Sequence, residues 1–479
     1  MKVALINSNR VQHPWPVIPF GLCRIAAALE REGHDVFFLD LCFSKSPPKA
    51  IEEMVADFKP DVVGIGIRNL DNASSCNNIF FLDGIKDEII APSKRAFSGP
   101  IVIGGAAVGI SGAEMLHFLD LEYAIRGDGE EAMPDFVKSL EENRPQNDIG
   151  GLIRRVDGDI TIQNPPHRIE NLNTLPPVRL LRFLNLSQYS RFGTPLQIQT
   201  KRGCALECSY CTYNQIEGRS YRLRKPELVA DEIESLVAET GMHNIEFTDS
   251  TFNIPLPHAK EVLRALRRKK LRIKCRTMGL NPSAVDKELV DLMKDVGFQE
   301  VDLGAESCCD ATLKTLGKGF RKQDVLRAGR LLRQAKIPIS WFLLVGAPGE
   351  TEETLHETFE SIAWAASSWD LIIIGVGIRI YRGAPIAEHL RLHDPTCTED
   401  EFLHPVYYEP DTLDLERIKR LTKDAYHRYP NFLMYDEKSQ YPAVVITAFH
   451  ILLKLFAPKQ PIWRVYILVR KVLRIFGVE

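Results

Sequence analysis

Several absences narrow what this chain can be. In 479 residues there is no apolar run long enough to expect a membrane-spanning helix. The formal net charge is -3, with 60 Lys and Arg against 63 Asp and Glu. That balance lacks the basic excess of a nucleic-acid binder, so no such partner is expected. The start, MKVALINSNR, reads as a strand from Lys2 and has neither the apolar stretch nor the small-residue cleavage site of an export signal. A cytoplasmic chain is therefore expected, and its ten cysteines need another account than disulfides. Tandem repeats and low-complexity tracts are also missing. What is present is an ordinary globular balance, 45% hydrophobic and 26% charged, at a length that suits two or three domains.

Residues 1–145 alternate short apolar runs with helical periods. Val3–Ile6, Asp35–Leu39, Val62–Ile67, Pro100–Ile103 and Tyr123–Ile125 read as strands, and Phe20–Glu32 and Ile51–Phe58 as helices. Strand–helix units of this spacing predict an α/β fold, a Rossmann-like doubly wound parallel sheet with ligands at its C-terminal edge. Residues 146–192 carry Gly-Gly, Asp157-Gly158-Asp159 and several prolines, the marks of a linker with a hairpin. A second series spans 193–390. Its strands are expected at Leu196–Thr200, Asn244–Phe247, Ile273–Arg276, Glu300–Leu303, Ser340–Val345 and Leu371–Ile380. Six such units predict a (β/α)6 partial TIM barrel. Residues 391–479 are expected to be mostly helical. From Tyr441 the tail sets six Lys/Arg against one Glu among apolar residues, split by Pro458 and Pro461. Two readings stand: an amphipathic segment lying on a membrane surface, or a helix pair packed back on the barrel.

Three cysteines carry the chemical argument. Cys204, Cys208 and Cys211 follow a predicted strand with the spacing C-x3-C-x2-C. Three thiolates on one tight loop suit three corners of a [4Fe–4S] cubane and leave the fourth iron open to a small-molecule chelate. A structural zinc site wants four ligands, usually in paired knuckles. No second knuckle lies nearby, and Cys275, Cys308 and Cys309 fall on other predicted elements. The remaining cysteines read as small buried hydrophobes.

On these residues the chain resembles the radical S-adenosylmethionine (SAM) superfamily, in the branch with an N-terminal cobalamin-binding domain. The resemblance covers residues 1 to about 390. It implies a [4Fe–4S] cluster on Cys204, Cys208 and Cys211, SAM bound at the open iron, and Tyr210 beside its adenine. It further implies SAM contacts from Asp249, Arg276, Glu306, Gly346 and Pro348, all at expected strand ends. Taken from the residues alone, Asp249 also suits a helix cap, and Glu306 a salt bridge with Arg276. In the first domain the resemblance implies cobalamin at Asn9, Arg68, Asn69, Gly104, Gly105 and Gly127, where glycines let a flat corrin approach the backbone. The D-x-H-x-x-G motif, whose histidine ligates cobalt in many cobalamin proteins, is absent from this sequence. The contact on cobalt's lower face stays open, with Arg68 or Asn69 in reach.

The activity so implied is reductive cleavage of SAM to a 5′-deoxyadenosyl radical, followed by methylation of an unactivated carbon in a small-molecule or lipid substrate. An external electron donor of flavodoxin or ferredoxin type is implied too. Radical cyclisation or rearrangement without methyl transfer is the alternative. A non-catalytic cobalamin or metal sensor is the alternative of another class. No general acid, base or nucleophile stands out in the sequence.

Overall fold

The computed structural model describes residues 1–393, 399–435, 461 and 463–475. Five parallel strands open the chain: β1 (Lys2–Asn7), β2 (Asp35–Asp40), β3 (Val62–Gly66), β4 (Ile101–Gly104) and β5 (Tyr123–Ile125). They stand in the order β2-β1-β3-β4-β5, so the sheet reverses direction between β1 and β3, where open sheets bind ligands. Strands flanked by helices on both faces must be apolar throughout, and five of the six residues of β1 are buried. The hairpin forms β6 (Leu152–Val156) and β7 (Asp159–Gln163) around Asp157 and Gly158, both at positive φ. It extends the sheet, with Tyr123 of β5 opposite Arg154 of β6.

The second half builds an arc of parallel strands. β8 (Leu196–Ile198) leads into a short ribbon of β9 (Lys201–Arg202) and β10 (Arg222–Leu223). The arc continues through β11 (Asn244–Phe247), β12 (Lys274–Thr277), β13 (Val301–Glu306), β14 (Ile339–Val345) and β15 (Leu371–Val376). Bridges from Cys275 to Phe298 and from Leu280 to Leu303 join its two sheets. These are the six strands expected, with ends shifted by a few residues. A single expected strand at Leu371–Ile380 is two. Gly377, at φ +78°, ends β15 and starts β16 (Ile378–Ile380), which pairs with β17 (Val406–Tyr408). A Cβ at Gly377 would meet the Ser75 side chain at 3.1 Å, so the break falls where a loop of the first sheet arrives. A seventh parallel strand, β18 (Phe432–Met434), closes on β15.

The two halves share one apolar core. Leu29 and Phe136 of the first pack in the same cluster as Tyr189, Leu196 and Val229. The helix Arg464–Ile475 packs back on the helix Leu415–Arg428. Arg470 is fully buried there and donates to the carbonyls of Tyr426 and Phe432, its guanidinium 3.7 Å from the Tyr426 ring. The second tail piece thus follows the packed-back reading. Residues 441–460, the rest of the proposed membrane-facing tail, lie outside the described residues. Among the described residues no helix is long and apolar enough to cross a membrane.

Candidate active site

The cysteine loop is pinned at its neck by the β9–β10 ribbon. Gly203 is obligatory: its φ is +96°, and a Cβ would lie 2.0 Å from the Ser220 carbonyl oxygen. Cys204 N–H donates to Gly218 O at 2.9 Å, Ser209 N–H to Leu316 O at 3.0 Å and Cys211 N–H to Cys208 O at 3.2 Å. Cys204 and Cys208 are buried and Cys211 is half-buried, all as free thiols. Burial pushes the Cys208 thiol up and the Cys211 thiol up to about 11. Among the described residues no three His, Cys, Asp or Glu side chains gather round a single metal ion. The loop also buries one hydroxyl without a partner, Ser209 Oγ.

Next to the loop runs a polar chain. Lys318 Nζ donates to Tyr210 OH at 3.1 Å and to Glu306 Oε1 at 3.2 Å. Burial draws the Lys318 ammonium down, but Glu306, Tyr210 and Cys208 outweigh it, and its pKa ends well above the usual lysine value. Glu306 sits at φ +58°, beside a register shift in β13. A non-glycine residue there stores strain of order 1 kcal/mol, a cost met where geometry is fixed by its surroundings. Lys318 is a site residue that the sequence does not announce. It lies in a Gly-Lys-Gly loop, and its lysine looks like a solvated turn residue until the fold buries it.

Other strand-end residues are already engaged. Asp249 accepts from Thr200 N at 2.7 Å, Thr200 Oγ1 at 2.8 Å and Lys201 N at 3.1 Å, with Lys201 Nζ 3.4 Å away. Its oxygens hold the neck of the cysteine loop. Arg276 pairs with Glu246 at 2.9 Å, Glu300 at 3.0 Å and Asp302 at 2.9 Å, under the Trp15 ring at 4.6 Å. It does not pair with Glu306, whose partner is Lys318. Burial and the neighbouring carboxylates push Asp302 up to about 7 against the pull of Arg276. Gly346, at φ +100°, and Ala347 donate their N–H groups to Glu350, whose carboxyl burial raises to about 7. Pro348 lies inside that turn.

The C-terminal edge of the first sheet faces this site. Arg68 and Asn69 are exposed beyond β3. The Arg68 charge is felt by Glu246 in the barrel and by Tyr213 just past the cysteines. Gly104 ends β4, and Gly105 follows at φ +108°, where a Cβ would stand 2.4 Å from Ile67 O. At Gly127 a Cβ would stand 2.2 Å from His167 O. Asn9 Nδ2 is buried without a partner at this edge, an unfilled donor. That set suits a broad, flat, amide-rimmed ligand such as a corrin. Charge sews the edge to the barrel. Arg202, two residues before Cys204, pairs with Asp128 at 2.9 Å and with Glu130, all buried. Arg222 also pairs with Asp128, and Arg379 with Asp71 at 2.9 Å, fully buried.

The Radical SAM superfamily model matches residues 198–362, and the B12 binding domain model matches residues 13–137. A tryptophan 2-C-methyltransferase of Streptomyces laurentii is 27% identical over 444 residues, 80% of this chain and 73% of that protein. An anaerobic magnesium-protoporphyrin IX monomethyl ester cyclase of Rubrivivax gelatinosus is 24% identical over 380 residues, 75% of this chain and 65% of that one. The solved structure of the radical SAM methyltransferase TsrM from Kitasatospora setae, with cobalamin and a [4Fe–4S] cluster bound, has the same fold. It superposes with a TM-score of 0.84 over 100% of both chains at 22% identity. Both family models match in sequence order, so the chain carries a B12-binding domain followed by a radical SAM superfamily domain.

Proposed function

We propose that this protein is a cobalamin-dependent radical SAM enzyme that methylates an unactivated carbon of a small-molecule substrate. The observation that carries the reading is the juxtaposition of three free thiols on one loop with a glycine-edged sheet holding an orphaned amide, Asn9 Nδ2. A reduced [4Fe–4S] cluster supplies the electron that splits SAM, and cobalamin supplies a methyl carrier.

The chain's own groups then have separable tasks. Cys204, Cys208 and Cys211 hold the cluster. Tyr210 offers its ring to the adenine, and Lys318 fixes that ring and Glu306 together. Glu306, Gly346 and Pro348 border the SAM site, while Asp249 and Arg276 act there as positioning residues with their donors and acceptors already spent. Asn9, Arg68, Asn69, Gly104, Gly105 and Gly127 line the cobalamin edge. The corresponding division is 1–145 for cobalamin, 146–192 connecting, 193–390 for the radical core and 391–479 for the tail. Covering the barrel mouth with the first sheet keeps water and stray C–H bonds from a carbon radical. The exposed Ala205 and Glu207, at the tip of the cysteine loop, mark the face that an electron donor of flavodoxin or ferredoxin type would reach.

Methyl-labelled SAM tests the reaction. With reduced enzyme and substrate, label is expected in the product along with 5′-deoxyadenosine. Label confined to methionine would count against methyl transfer and favour cyclisation, the reading that the cyclase relative supports. The TsrM structure with tryptophan bound, at 23% identity, and a hopanoid C-3 methylase of Methylococcus capsulatus, 25% identical over 341 residues, frame the substrate choice. The first favours a small amphiphile and the second a lipid. Peripheral membrane contact through the tail is tested by liposome flotation of the full chain.

A further inference from the structure

A cavity of about 490 Å³ lies between the helix Ala106–Leu119, the end of the β6–β7 hairpin and the segment just past the cysteines. Its wall is cationic. Arg126, Arg168, Arg219 and Arg382 line it, against one carboxylate, Glu114. Glu114 is buried and paired with Arg382, and Arg219 reaches Glu207 at 4.0 Å.

Arg126 and Arg168 have no carboxylate at ion-pairing distance among the described residues. Arg126 donates to Asn164 O from Nε at 3.1 Å and from Nη2 at 2.8 Å. Arg168 donates to the carbonyls of Ile216 and Gln215. Carbonyls orient a guanidinium without neutralising it. Burial lowers the pKa of both, and for Arg168 the pull of the Asp128 and Glu217 carboxylates does not make up for it. Two half-buried guanidiniums on one cavity wall, with no carboxylate in contact with either, suit an anion. A third donor waits beside them: Gln215 Nε2 is buried without a partner. Gly383 makes room for it, since a Cβ there would sit 2.7 Å from that nitrogen.

We propose that this cavity is an oxyanion site, taking a phosphate group on Arg126, Arg168 and Gln215 Nε2. Paired guanidiniums match phosphate geometry and charge. Gln215 lies four residues past Cys211, and Arg382 two past the end of β16, so the site flanks the barrel mouth. Two sources carry this chemistry: a phosphorylated small molecule, and the phosphodiester of the cobalamin nucleotide tail.

The test is calorimetric titration of the full chain with inorganic phosphate, in the cobalamin-free, hydroxocobalamin-loaded and cobinamide-loaded forms. Saturable binding is expected. Arg126→Gln and Arg168→Gln should each weaken it at least tenfold, Arg168→Lys should weaken it less, and the distant Arg31→Gln should leave it unchanged. Should the glutamine variants fail to fold, Gln215→Leu is the second probe, with a loss of about threefold expected. Phosphate binding that persists beside hydroxocobalamin assigns the site to a phosphorylated small molecule. Binding blocked by hydroxocobalamin but kept with cobinamide assigns it to the tail. Absence of saturable binding to cobalamin-free protein, or affinity unmoved in the folded variants, overturns the proposal.

Discussion

The barrel mouth and the edge of the first sheet solve the same problem in opposite ways. In the barrel, charged strand-end residues are engaged with one another: Asp249 with Thr200 and Lys201, Arg276 with three carboxylates, Lys318 with Tyr210 and Glu306. At the sheet edge, Gly105 and Gly127 let the chain pass within contact of Ile67 O and His167 O, and Asn9 keeps an unused donor. A site for a small charged cofactor needs rigid polar geometry, whereas one for a broad macrocycle needs clearance. The difference teaches that many motif residues in the barrel position their neighbours through side chains, while the glycines of the sheet edge do so by letting backbone pack closely on backbone.

Substitutions can break that comparison in order of size. Arg202→Met should have the largest effect on folding. It strands the buried Glu130, leaves Asp128 with Arg222 alone, and should cost roughly 3–5 kcal/mol by chemical denaturation. Charge restored as Arg202→Lys should recover part of it. Gly127→Ala forces a Cβ into His167 O at positive φ, for about 1–3 kcal/mol with weakened cobalamin retention on desalting. Iron content should be unchanged, which separates the sheet edge from the barrel. Lys318→Met removes a partner from Tyr210 and Glu306. SAM affinity should fall about tenfold, on the order of 1.4 kcal/mol, with cobalamin retention intact.

The smallest effect is in pH. Asp302 and Glu350 are raised to about 7, so both are protonated more readily folded than unfolded. Their contribution is full below the unfolded carboxylate range, near pH 4, and is lost as pH rises through about 7. Tm should therefore fall less between pH 5 and 8 in Glu350→Gln than in the parent chain. An equal slope would show that Glu350 does not titrate there.

Local signals gave most of this fold, and long-range ones did not. The parallel strands announced themselves as apolar runs, and the cysteine spacing named its own chemistry. β18 is three residues, Phe-Leu-Met, too short to carry a period. Lys318 is invisible because its partners, Tyr210 and Glu306, come from two other segments. Asp128 and Glu130 follow the expected cobalamin residue Gly127, and their carboxylates serve Arg202, more than seventy residues on. Asp249 and Arg276 stood at legible positions, but who satisfies them depends on strand register and on Trp15 arriving from the other domain. Pairing of that kind is a property of topology, and a linear string does not display it.

The most direct test is iron and 5′-deoxyadenosine, measured together on anaerobically reconstituted wild type and on Cys208→Ser. Wild type should hold about four irons on the loop and release 5′-deoxyadenosine on reduction with SAM, and the variant should lose both. Undiminished iron and undiminished 5′-deoxyadenosine in the variant would contradict the account.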